Sequence, residues 1–280
     1  MTPLPRPATY VSRALVALAV AFAVPTRAQV PTDYVERDAS LPCLERVYGL
    51  RVHVVAPSPL DATPRRAFSP AAFDSMVAVA NAAFGPICVG FEVCELLELE
   101  NYRYAEDSPA RRRERRALFT DPLRIDVFVS VDPGDRTTFR GIARRDTAYV
   151  DVPRARVEGT SKALARELGR YFGLYDTFEA DASGPELVLG DDCETTGDLV
   201  CDTPADPFDP DDPDRDVSDY VAPDDPCRFT FRGLDARGQF YVAHTANTMS
   251  PYADECHCGL TAGQLRRVAA AIERLDGGLF

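Results

Sequence analysis

Apolar positions set the first rhythm of the chain. "GLRVHVVAP" (49–57) alternates apolar and polar residues, which predicts a strand. "SPAAFDSMVAVANAAFG" (69–85) predicts a helix, with Ser69 as N-cap, Pro70 in the first turn and Gly85 as its stop. "ICVGFEVCEL" (87–96) reads as a second strand with Gly90 marking a bulge, and "RIDVFVSV" (124–131) as a third. "TAYVDVP" (147–153) reads as a short edge strand. "TSKALARELGRYFG" (160–173) predicts a helix capped by Thr160 or Ser161 and ended by Gly173. The last helix, 261–278, opens with a capping box of Thr261 and Gln264 and carries a stripe of Leu265, Val268, Ala269, Ile272 and Leu275.

Periodicity fades between the last two helices. "DPFDPDDPDRDVSDY" (206–220) is rich in Asp and Pro and reads as an irregular loop. The basic run "ARRRERR" (110–116) reads as a solvated helix face, with a docking spot or processing site as the alternative. No internal repeat is visible. The order of elements predicts an α/β (α+β) domain with two subregions: interspersed strands and helices first, then a loop-rich, cysteine-bearing half closed by a helix.

The extreme N-terminus follows a different logic. Arg6 and Arg13 precede the apolar run Ala14 to Val24, and small residues follow at Thr26 and Ala28. This predicts a signal peptide over 1–28, a single domain over 29–280 with subdomains meeting near 175/176, and a secreted or periplasmic product with no membrane span after signal removal. Removing 1–28 takes away three arginines and no acid, moving the net charge from −13 to −16. Nucleic acid is thereby disfavoured as a partner. Lys162 is the only lysine. The eight cysteines, an even number on an exported chain, predict disulfides. Cys43 has Cys88 and Cys94 as alternative partners, and spacing assigns none to Cys193, Cys201 or Cys258.

The candidate chemistry centres on "RELGRYFGLYDTF" (166–178). Its skeleton is that of the zinc motif His-Glu-x-x-His-x-x-Gly-x-x-His, with Glu167, Gly169 and Gly173 in place. Arg166, Arg170 and Asp176 occupy the three histidine positions. With Leu174, Thr177 and Phe178 the stretch resembles the pappalysin family (cytophagalysin-like members) of metzincin zinc metallopeptidases. "TGDLVCDTP" (196–204), "NTMSPYADEC" (247–256) and "LTAGQLRRV" (260–268) resemble further segments of that family in the same order, and "ANAAFGPICVGFEVC" and "NYRY" resemble its N-terminal half. The resemblance implies a metzincin-like fold, with a twisted mixed sheet and long helices in the N-terminal half and a loop-rich, disulfide-bearing C-terminal half ending in a helix. It also implies a Met-turn at Met249 with Tyr252 near the substrate, a Cys227–Cys256 disulfide, and a general base at Glu167.

The same positions argue against the family's chemistry. Residues 166 and 170 share a helix face, and a turn at Gly173 would return residue 176 to it. Three imidazoles there would hold zinc and lower the pKa of its water from about 15.7 to about 7. Guanidinium groups have no acceptor atom and stay protonated. Zinc is therefore expected to be absent and Glu167 to be vestigial, paired with Arg170. Asp176 is expected to bridge Arg166 and Arg170 as a metal-free crosslink. The histidines present, His53, His244 and His257, read as structural. Calcium remains an alternative cofactor, held by the 206–216 loop or by Asp198 and Asp202. The expected function is a secreted pseudopeptidase that binds a peptide or protein. The alternatives are an active zinc endopeptidase with unusual ligands, or a structural, calcium-stabilised module.

Overall fold

The computed structural model describes residues 40–56, 68–101, 103, 109–119, 124–130, 149–179 and 185–277. All belong to the compact unit Pro31–Phe280, so the expected signal peptide lies outside the described residues.

The chain forms an α/β structure around a four-stranded sheet. Strands β1 (Arg46–Val55), β2 (Val89–Leu99), β3 (Arg124–Ser130) and β4 (Tyr149–Pro153) stand in the order β2-β1-β3-β4. Every pairing among them is parallel, where the family resemblance implied a mixed sheet. The reason lies in the connections. Helix α1 (Pro70–Phe84) joins β1 to β2, and helix α2 (Pro109–Phe119) joins β2 to β3. A crossover that carries a helix returns the chain to the same end of the sheet. The bulge expected at Gly90 falls instead at Cys94: Leu50 pairs with Val93 and Arg51 with Glu95, which leaves Cys94 as the extra residue.

Alternation along the strands decides the two faces. Leu50, Val52, Ile125, Val127, Val129 and Val152 are buried under α1 and helix α3 (Ala163–Tyr171). Ser69 caps α1 as expected, accepting from the Ala72 amide at 3.2 Å. The opposite face is polar at its centre. Asp126 accepts from Arg51 Nε at 2.6 Å and lies 2.7 Å from His53 Nε2. Arg115 of α2 covers this face. Contrary to a wholly solvated reading of the arginine run, Arg115 is buried: it lies 5.2 Å and 4.8 Å from the Phe128 and Tyr149 ring centres and donates to Asp151. Its guanidinium, set over two rings and paired with Asp151, ties α2 to this face.

Beyond α3 the chain builds a smaller second core of Phe178, Phe208, Tyr220, Val221, Ala243 and Tyr252. A short hairpin of β5 (Val221–Ala222) and β6 (Asp225–Phe229) belongs to it. Helix α4 (Ala262–Gly277) returns to the main core through Leu265, Val268, Ala269 and Ile272, while Leu275 is exposed. The Thr261/Gln264 capping box is formed: Thr261 Oγ1 accepts from the Gln264 amide and Gln264 Oε1 from the Thr261 amide. Three disulfides join Cys43–Cys88, Cys193–Cys201 and Cys227–Cys256. Cys94 and Cys258 are exposed free thiols, so the even count did not mean four bridges. The Cys94 thiol is held at the sheet edge by the Leu50 carbonyl, away from Cys43. Among the described residues no helix is long and apolar enough to cross a membrane.

Candidate functional site

Helix α3 carries the candidate residues, and both of its ends are fixed by other parts of the chain. Its N-terminus is capped from a distance. The Asp254 carboxylate accepts from the Lys162 amide at 3.1 Å and from Ser161 Oγ at 3.0 Å, and Ser161 Oγ accepts from the Ala163 amide. The expected local cap at Thr160 or Ser161 is thus only half the device. The C-terminus closes in a Schellman motif at Gly173, whose φ of 89° suits glycine. The Gly173 amide reaches the Arg170 carbonyl, the Leu174 amide reaches the Gly169 carbonyl, and Leu174 packs over Gly169.

That exit turn returns residues 175–178 towards the helix. Asp176 becomes wholly buried beside Arg170. Arg170 Nη2 donates to both Asp176 oxygens at 2.6 and 2.8 Å, and Nη1 donates to Glu167. Arg166 takes a different partner from the one expected. It does not close an Arg–Asp–Arg triangle; its Nε donates to the Thr248 carbonyl at 3.0 Å. Arg166 therefore ties α3 to the 247–250 turn, while Arg170 ties it to its own exit.

Burial and neighbours set the charges. Desolvation lowers the Arg166 guanidinium from its usual pKa, with Asp176 opposing and Arg170 adding to the shift. Desolvation also acts on Arg170, but Asp176 and Glu167 outweigh it and hold that guanidinium above its usual value. Burial raises Glu167 above the usual carboxylate range; Arg170 opposes this and Asp176 adds to it. As a donor set for a metal these groups fail. Two guanidiniums offer no lone pair, and the carboxylates are already engaged by Arg170. Among the described residues no group of three or more His, Cys, Asp or Glu side chains is placed to hold a metal ion.

Met249 lies beneath the helix, fully buried. A Cβ on Gly169 would stand 2.9 Å from its sulfur, so glycine is required by this close approach. The Thr177 amide donates to the Met249 carbonyl, and Asn247 Oδ1 accepts from the Met249 amide while its side-chain amide pairs with Gln264. The Tyr252 side chain is buried, not exposed to a cleft, and its hydroxyl donates to Asp206 at 3.0 Å. Thr177 donates to the other oxygen of Asp206, and the Phe208 amide donates to the first. Burial still dominates and pushes Asp206 up to about 6.

The remaining candidates are structural in placement. His53 lies in the polar face of the sheet, stacked on Phe128. His257 sits buried between bridged Cys256 and free Cys258, its Nε2 3.2 Å from Ser250 Oγ; desolvation lowers its pKa to about 3. Asp198 accepts from Thr203 and the Val200 amide, and Asp202 from Thr261 Oγ1 and the Gly263 amide. In the acidic loop Asp206, Asp209, Asp212 and Asp216 each accept from the amide two residues on. Those carboxylates build turns.

Three partners of the site were not legible beforehand: Asp254, Thr248 and Arg267. Thr248 acts through its carbonyl, which any residue supplies. Arg267, from α4, donates to the Gly173 carbonyl at 2.8 Å and lies over the Tyr175 ring. Neither a family model nor a curated protein matches the chain.

Proposed function

We propose that this chain is a zinc-free relative of the pappalysin-type metallopeptidases, exported from the cell, that binds a peptide or protein segment without cleaving it. One observation carries the reading. Arg170 and Asp176, which stand where the family pattern has two zinc histidines, form a buried ion pair across the same helix and turn. The Schellman exit at Gly173 and the packing of Gly169 on Met249 support a scaffold of that kind. The Cys227–Cys256 bridge agrees with the pairing that the resemblance implies. Three disulfides support an oxidising compartment.

With no metal to activate water, Glu167 has no substrate proton to take, and its contact with Arg170 makes it part of the crosslink. The test is metal analysis and a chelator-controlled peptidase assay on the purified protein and on an Arg166→His/Arg170→His/Asp176→His variant. The unaltered protein should carry no stoichiometric zinc and cut no peptide, and the triple variant should gain zinc. Stoichiometric zinc together with chelator-sensitive cleavage in the unaltered protein would overturn the proposal.

A further inference from the structure

We draw no further inference here: the strongest candidate, the exposed apolar patch of Leu234, Phe240 and Val242 on the turn that Asp235 holds in the C-terminal half, carries none, because nothing in the structure shows what covers it.

Discussion

Arg170 and Asp176 concentrate the site's energetics in two side chains. Both are buried, at 6 % and 0 % side-chain exposure, and each is the other's main compensation. Removing one leaves an uncompensated charge, which costs about 3–5 kcal/mol. Asp176→Ala and Arg170→Ala should each lower stability by about that amount in urea unfolding. A joint Arg170→Met/Asp176→Leu exchange should be far milder than the sum, because it removes both charges and keeps the volume. A fully additive cycle would mean that the pair is not a unit.

A second buried acid gives a pH signature. Desolvation, reinforced by Asp192, pushes Glu186 up to about 7. In the unfolded chain a glutamate titrates near 4.3. Between these values the folded state binds the proton and the unfolded state does not. Stability from this group therefore falls as pH rises from about 4 to about 7, and the full cost is present above that. Glu186→Gln should be more stable than the parent at pH 8 by about 2–3 kcal/mol, with the gap closing near pH 4. Denaturant titrations at both pH values measure it, and a gap that widens on acidification would contradict the assignment.

At the scale of elements, regular structure was legible and irregular structure was not. The strands at 46–55 and 124–130 and the helices at 70–84 and 262–277 followed from period and capping residues, because those signals are local. The acidic stretch is the irregular loop its composition indicated, but composition hid a repeated local device within it. In Asp206-Pro207-Phe208, Asp209-Pro210-Asp211, Asp212-Pro213-Asp214 and Asp225-Pro226-Cys227 the carboxylate accepts from the amide just past the proline. Proline fixes φ and holds the preceding Asp extended, which presets the turn. A segment that looks solvated is a chain of such turns, and it delivers Phe208 to the second core. The helix–turn of the candidate site was legible in outline, since Gly169 and Gly173 need glycine for different local reasons. Its long-range ties through Asp254, Thr248 and Arg267 were not, because nothing in the spacing marks a carboxylate that caps a helix some ninety residues away.

For the whole molecule, the cysteines show where counting fails and geometry decides. The three bridges close three different parts of the chain. Cys43–Cys88 ties the entry of β1 to the turn before β2, Cys193–Cys201 clips a stretch without strands or helices, and Cys227–Cys256 joins β6 to the turn before α4. The last closes a sequence separation of 29, which in a chain-entropy account stabilises by about 3–4 kcal/mol. Cys94 lies on an exposed edge strand and Cys258 on the surface of the Cys256 turn, and each thiol rests on a backbone carbonyl. Exposed thiols react without unfolding. A thiol-specific reagent should therefore label two cysteines per native chain, and peptide mapping should place both labels at Cys94 and Cys258. Denaturant without reductant should add none, whereas reduction should expose six more, the members of the three bridges. Fewer than two labels on the native chain would mean a fourth bridge and a different closure of the sheet edge.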